Sequence, residues 1–405
     1  MNKQYFYILG NNPELSIAEI ISQLQIKQID YTVDLAISSV LIISAPDLDN
    51  AFFNSLGGSK KFGEIKQKLS SLDKLSLEDL EIGEDKFRFG FSLYNFSKSE
   101  LKKNIPVLRR MGLTFKKELR AKGVKSRLVE SKEDELSSVI VHKEKMVESG
   151  ADIVLIKYKE EIFYGRTSAV QDYDSFSKRD YGKPGRDSTS GMLPPKLARI
   201  MLNLTGKDSS DIILDPFCGS GTVILEALAL GYTNILGSDK SEVAVEDSSR
   251  NLIWWQQHHV LNNIPEVKRV RVEELSNFYD NDSVDAIVTE PYLGPPLRGK
   301  ESPAQIISMQ KQLQELYSVT LTQFNKVLKP GGIIVMVWPV FVDKKDNRLY
   351  LNLKDKVESL NLEFKDYLKN IDLSIERLTA HRKTYYYYRV GQRVGREIVI
   401  LEKKN

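Results

Sequence analysis

Contiguous apolar positions from Tyr5 to Leu9 end at Gly10-Asn-Asn-Pro13, a pattern that predicts a strand running into a turn. An amphipathic helix is expected over Ser16 to Leu24, and extended apolar segments such as Val40-Leu-Ile-Ile43 complete a small α+β unit. The stretch from Lys66 to Lys86 is polar, holds few aromatics and reads as containing the link to a second unit. There the pattern restarts. It predicts a strand over Phe87 to Leu93, a basic helix over Ser99 to Lys122 stopped by Gly123, and a strand near Ser126 to Val129. A helix after Ser137 and a strand over Ala151 to Lys157 complete this unit. Gly, Pro, Asp, Ser and Arg gather between Tyr164 and Pro195, and the aromatics among them predict an ordered connector. Beyond Pro195, helical patterns alternate with short apolar runs at Ile212-Ile-Leu214, Ile235-Leu-Gly237, Ala286-Ile-Val288 and Ile333 to Val337. That alternation predicts a mostly parallel sheet with helices on both faces. The tail, Leu378 to Lys403, reads as two strands joined near Gly391 or Gly395.

A chain of 405 residues exceeds one hydrophobic core, so two or three domains are expected. With 41% hydrophobic and 28% charged residues and no apolar run near the length of a membrane helix, the composition is that of a soluble, cytosolic protein that does not engage a membrane. One cysteine, Cys218, excludes an internal disulfide, and four scattered histidines offer no metal-ligand spacing, so no metal is expected. The net charge of +3 is small but uneven: between Lys98 and Glu130 eleven Lys/Arg face three Asp/Glu. Such a stripe attracts phosphate backbones, although a solvated helix face would look the same.

In Asp211-Ile-Ile-Leu-Asp-Pro-Phe-Cys-Gly-Ser-Gly-Thr222 an apolar strand ends at Asp215 and a helix begins after Gly221. Glycines let a backbone approach a ligand closely, and a helix N-terminus presents unpaired N–H groups. A Walker loop would place Lys after Gly221, and a dinucleotide fingerprint would want a small residue where Ile224 stands; neither fits. The pattern Asp-Pro-Phe-x-Gly-x-Gly resembles motif I of class I S-adenosylmethionine-dependent methyltransferases. That resemblance implies that Asp215, Pro216, Phe217, Gly219, Gly221 and Thr222 wrap the methionine part of S-adenosyl-L-methionine. About twenty residues on, Ile235-Leu-Gly-Ser-Asp239 ends the next strand with an acid placed to accept hydrogen bonds from both ribose hydroxyls. Glu273 precedes the following loop and is assigned to face the adenine.

The run Val284 to Thr289 is expected as the fourth strand, which brings Glu290-Pro-Tyr292 out at its carboxyl end beside the glycine loop, where open α/β sheets bind ligands. An acid, a rigid corner and a ring suit methylation of an exocyclic amine, whose lone pair is delocalised into its ring. Acceptors for its N–H groups turn that lone pair outward, proline fixes φ and removes a competing donor, and an aromatic ring stacks on the base. The segment resembles motif IV, Asp/Asn-Pro-Pro-Tyr, of the amino-methyltransferases. Here the order is Thr289-Glu290-Pro291-Tyr292, so either Thr289 or Glu290 takes the acid's place, and Glu290 is favoured as the polar acceptor.

The segment Arg179 to Ala198 resembles motif X of the same group, which implies cofactor contacts from its backbone and its Pro-Pro-Lys turn, here Pro194 and Lys196. The run Lys116 to Val129 with the elements after it looks like a THUMP domain, which with a ferredoxin-like domain binds tRNA. Taken with Tyr5-Phe-Tyr-Ile-Leu-Gly-Asn-Asn-Pro and Gly191-Met-Leu-Pro-Pro-Lys-Leu-Ala198, nearly the whole chain resembles the archaeal and eukaryotic tRNA (guanine-10-N2)-methyltransferases. The resemblance implies an α/β fold, a Rossmann-like class I methyltransferase domain over 196–405, preceded by a ferredoxin-like domain over 1–65, a THUMP domain over 66–165 and a connector over 166–195. It implies tRNA as partner, with Lys116, Lys117, Arg120, Lys122, Lys125 and Arg127 tracking phosphates. Some relatives also use a small activator protein. The tail from His381 to Arg396 interleaves rings with cations, and alternate tyrosines of Tyr385 to Tyr388 are expected to serve sheet packing and RNA contact. Other tRNA positions or ribosomal RNA, a non-catalytic RNA-binding subunit and a DNA amino-methyltransferase remain open as alternatives.

Overall fold

The computed structural model describes residues 2–77, 80, 82, 86–186, 192–260, 264–297, 299, 301–389 and 391–405. The front of the chain builds one sheet from β1 (Lys3–Leu9), β2 (Thr32–Ala36), β3 (Val40–Ala45), β4 (Ser59–Leu69), β5 (Phe87–Tyr94), β6 (Ser126–Leu128), β7 (Gly150–Tyr158) and β8 (Glu161–Val170). Their order is β2-β3-β1-β4-β8-β7-β5-β6. Helices α1 (Pro13–Ile26), α2 (Asn50–Asn54), α3 (Lys98–Ala121) and α4 (Ser138–Lys143) belong to this half. Strands β4 and β8 pair antiparallel from Lys61↔Val170 to Leu69↔Ile162 and join the two expected front units into a continuous layer. The boundary drawn at 65/66 therefore falls inside β4, and that at 165/166 inside β8. The region read from composition as a connector begins as a strand, because the alternating burial of Glu161–Val170 was masked by the Gly/Pro-rich residues that follow it.

A buried charge pair pins this layer. Lys61 donates from Nζ to Asp152 at 2.8 Å, and Ser92 and Thr167 donate to the same carboxylate at 2.6 and 2.7 Å. These partners come from β4, β5, β7 and β8, so each buried polar atom of the pair is met, as a charge removed from water requires. Helix α3 starts at a capping box of Ser97 and Glu100 and buries a single stripe of Leu108, Gly112, Phe115 and Leu119.

After α5 (Tyr173–Ser177) and α6 (Pro195–Asn203), the second sheet takes β9 (Ile212–Asp215), β10 (Asn234–Asp239), β11 (Val267–Arg269), β12 (Val284–Thr289), β13 (Leu328–Val342), β14 (Arg348–Tyr350), β15 (Leu362–Phe364), β16 (Tyr385–Tyr387) and β17 (Val394–Lys403). The order is β11-β10-β9-β12-β13-β17-β15, with β14 on β13 and β16 on β17. Neighbours from β11 to β13 are parallel, and β17 runs antiparallel between β13 and β15. Helices α7 (Thr222–Ala229), α8 (Glu242–Gln256), α9 (Pro303–Val327) and α10 (Lys354–Ser359) cover it. Side chains alternate between two cores: Ile213, Ala286, Val288, Ile333 and Val335 face α6 and α7, whereas Leu214, Val284, Ile287, Ile334 and Met336 face α9. This is a doubly wound α/β architecture, a mostly parallel sheet with helices on both faces.

Helix α1 is buried on nearly every side, because it lies between the front sheet and α6 and shares one core with both. Its Glu19 accepts from the backbone of Gly57 and Gly58 at 2.7 and 2.8 Å and from Asn203 Nδ2 at 2.6 Å. Burial raises that carboxyl to about 7, although the three hydrogen bonds and Arg199 oppose the rise.

Candidate active site

Three polar residues end adjacent parallel strands: Asp215 on β9, Asp239 on β10 and Thr289 on β12. The chain leaves β9 toward β10 on one side while β12 pairs on the other, so the crevice between Asp215 and Thr289 is the topological switch point of the sheet. Asp215 is 2% exposed. Thr289 donates to its Oδ1 at 2.7 Å and Phe217 N to the same oxygen at 3.2 Å. Burial raises the Asp215 carboxyl to about 7; the two hydrogen bonds oppose this, and the charges of Asp239 and Glu290 reinforce it.

The glycine loop then folds back over β10. Gly219 N donates to Asp239 Oδ2 at 3.1 Å and Cys218 N to the Ser238 carbonyl at 3.0 Å, while Ser241 N holds Asp239 Oδ1 at 2.9 Å. Each oxygen of Asp239 retains a further lone pair for another donor. Gly221 caps α7 at φ +78°, and a Cβ there would lie 2.4 Å from Ser248 Oγ, so this position admits only glycine. Pro216, Phe217 and Thr222 complete the loop at the head of the helix.

Thr289 and Glu290 separate cleanly. Thr289 is the last strand residue, fully buried, with its hydroxyl spent on Asp215. Glu290 is the first residue past the strand, and Arg396 of β17 grips its carboxylate through Nε to Oε1 at 2.5 Å and Nη2 to Oε2 at 3.3 Å. Pro291 is buried, and the Tyr292 ring beyond it is 52% exposed. The Tyr317 hydroxyl lies 3.3 Å from the Tyr292 carbonyl and 3.2 Å from that of Val337, which ties the loop to β13.

The connector contributes a residue the sequence did not single out. Lys183 is buried, and its ammonium donates to Ser220 Oγ at 3.2 Å and Thr222 Oγ1 at 2.7 Å, at the glycine loop itself. Burial lowers its pKa to about 8 against the pull of Asp180 and Glu226. Asn251 bridges Gly185 and the Ser220 carbonyl and so ties the connector to the loop. Nothing in the sequence marks Lys183, since its partners are two ordinary hydroxyls some forty residues away. Residues 187–191 of the segment likened to motif X lie outside the described residues. Pro194 caps α6, and the Lys196 ammonium donates to Gln171 Oε1 at 2.5 Å and lies over Phe176. Glu273 lies on the turn after β11, half-exposed and 3.6 Å from Arg271.

Lys116, Lys117, Arg120, Lys122 and Lys125 are exposed along α3 and its end, and none has an ion partner among the described residues. Arg127 faces Glu144 at 3.4 Å. This stripe flanks β6, the edge of the front sheet opposite β2. The tail tyrosines are packed instead of alternating: Tyr385, Tyr386 and Tyr387 are each at most 9% exposed, and only Tyr388, stacked 5.9 Å from Tyr386, reaches the surface.

Residues 185–346 match the UPF0020 family, an RMKL-like methyltransferase domain, and residues 95–250 match a DNA methylase family whose segment crosses from the front sheet into the second. The tRNA (guanine(10)-N2)-dimethyltransferase of Methanothermobacter thermautotrophicus is 35% identical over 155 residues, 38% of this chain and 40% of the relative. Its counterpart in Methanocaldococcus jannaschii is 31% identical over 185 residues, 44% of this chain and 46% of the relative. The matched segments thus span less than half the length of either relative. Among solved structures, TrmN from Thermus thermophilus superposes with a TM-score of 0.53 at 18% identity over 99% of both chains. SMU.472 complexed with SAH gives 0.50 at 13% identity over 98% of both. At these identities the likeness is one of fold.

Proposed function

We propose that this protein methylates the exocyclic N2 amine of a tRNA guanosine, position 10 being the leading target, with S-adenosyl-L-methionine as donor. The observation that carries the reading is Glu290, an acid held just beyond β12 at the switch point and beside a loop built for close approach. The site's residues fit that cofactor: Gly219 and Gly221 leave the loop backbone open, Asp239 retains lone pairs for two ribose hydroxyls, and the head of α7 faces the same space. Asp215, Pro216, Phe217, Gly219, Gly221 and Thr222 would hold the methionine part. When bound, the donor supplies a methyl group on a sulfonium.

Glu290 accepts from the N–H groups of the guanine edge and turns the N2 lone pair toward that methyl carbon. Once the donor's methyl group had moved to N2, leaving the C–S electron pair on sulfur, the Glu290 carboxylate would accept the proton left on N2. Pro291 fixes the corner, and the Tyr292 ring stacks on the extruded base, worth about 1–3 kcal/mol against the cost of unstacking. The front half acts as a THUMP-type tRNA-binding module whose α3 stripe follows phosphates. The DNA methylase match over 95–250 favours a DNA amino group as the second reading. Transfer of labelled methyl groups to unmodified tRNA transcripts, with duplex DNA in parallel, separates the two: label in tRNA alone is expected, and label in DNA alone would overturn the proposal.

A further inference from the structure

The acid-bearing loop lacks the second proline of the amino-methyltransferase pattern, and a residue 106 positions further along the chain braces it instead. Arg396 stands opposite Pro339 in the β13–β17 register, and β13 lies between β17 and β12, so its guanidinium reaches across β13 to the loop that follows β12. The two side chains are 10% and 12% exposed, and Glu290 has no other hydrogen-bond or ion partner among the described residues. A guanidinium fork fixes the plane of the carboxylate it grips, which a lysine or a single hydrogen bond would not. The grip is lopsided. Nε holds Oε1 at 2.5 Å, Nη2 reaches Oε2 only at 3.3 Å, and Nη1 takes part in neither bond.

A carboxylate in an ion pair accepts hydrogen bonds and cannot donate them. The edge of guanine beside its amine shows two adjacent donors, N1–H and N2–H. Adenine shows a donor beside an acceptor, and so does 2-aminopurine, which keeps the C2 amine but has a bare N1. Resting on the guanine-N2 reading above, we propose that Arg396 is a positioning residue that holds Glu290 as a fixed double acceptor and so selects guanine over bases with an acceptor at N1. The carboxylate oxygens accept from the entering N–H groups while the guanidinium fork keeps the carboxylate plane in register. A base with a bare N1 meets an oxygen lone pair with its own.

The test uses the full-length protein with tRNA transcripts carrying guanosine or 2-aminopurine at the methylated position, and compares wild type, R396M, R396K, E290Q and the E290Q/R396M double variant. Binding of S-adenosylhomocysteine serves as the check on folding. We expect wild type to prefer guanosine by on the order of 10⁴. R396M should lower kcat on guanosine by ~10²-fold with KM for tRNA and S-adenosylhomocysteine affinity unchanged. Its preference for guanosine over 2-aminopurine should narrow by at least about tenfold, because the freed carboxylate turns out of register. R396K should recover part of the rate, and the double variant should be no slower than E290Q, as expected of residues acting as a unit. A slower R396M with an undiminished preference would reduce Arg396 to a packing role and overturn the inference, as would a wild-type rate. Absence of N2-methylguanosine with the wild-type protein would instead overturn the functional reading on which the inference rests.

Discussion

Replacing Asp215 by asparagine isolates the charge of the most buried acid in the site. Asp215 Oδ1 accepts from Thr289 and Phe217, and the amide oxygen of an asparagine can accept both bonds. Burial moves this carboxyl from 3.8 to about 7, which at 1.36 kcal/mol per pH unit corresponds to about 4 kcal/mol against the ionised form in the fold. The unfolded chain gives up this proton near pH 4, the folded chain only near pH 7. Between those values unfolding releases a proton, so the stability due to this group is fully present at low pH and is lost as pH rises to about 7. The side-chain amide of the variant has no proton to release. D215N should therefore gain on wild type by about 2 kcal/mol between pH 5 and pH 7 and hold at least that gain above it. For a unit the size of the catalytic half this is roughly 4–8 °C in Tm. Glu19, also raised to about 7, is present in both proteins and cancels in the difference. Thermal unfolding of both proteins from pH 4.5 to 8.5 reads the effect. A difference in Tm that does not change with pH would refute the assignment of an unfavourable buried charge to Asp215.

Three further outcomes are expected. E290A should abolish methyl transfer while leaving S-adenosylhomocysteine affinity within a few-fold in a binding titration, because the proposed role of the acid is at the amine and not at the donor. Replacing Lys116, Lys117 and Arg120 together by alanine should weaken tRNA binding and lower the slope of log Kd against log salt by about 2–3, whereas an unchanged slope would make the stripe a solvated face. G221A should impair cofactor binding through both its φ of +78° and its clash with Ser248 Oγ; adding S248A removes the clash but not the backbone strain, so affinity measured by calorimetry should recover in part.

The second sheet was legible because its strands are apolar on both sides, as in Ile212-Ile-Leu214 and Ala286-Ile-Val288, a pattern only a two-faced parallel sheet explains. Helix α3 was legible at its end because Gly123, at φ +80°, stops it locally. What the sequence hid depends on contacts between distant residues. Lys61 reads as a surface lysine, yet it is 1% exposed because Asp152 lies 2.8 Å away on another strand, and the β4–β8 pairing that unites the front half joins residues about a hundred apart. The same holds in the site. Asp215, Asp239 and Glu290 follow directly from strand ends, whereas Lys183 and Arg396 owe their places to the connector and to β17. The partner of Lys196 was hidden as well, since a Pro-Pro-Lys turn fixes where α6 starts and leaves open which neighbour the lysine faces.

The most direct measurement is nucleoside analysis by mass spectrometry after incubating the protein and S-adenosyl-L-methionine with two tRNA transcripts, one with guanosine and one with inosine at position 10. Inosine differs only in lacking the N2 amine. N2-methylguanosine from the first transcript and none from the second is the predicted result. Equal methylation of both would place the accepting atom elsewhere and contradict the account.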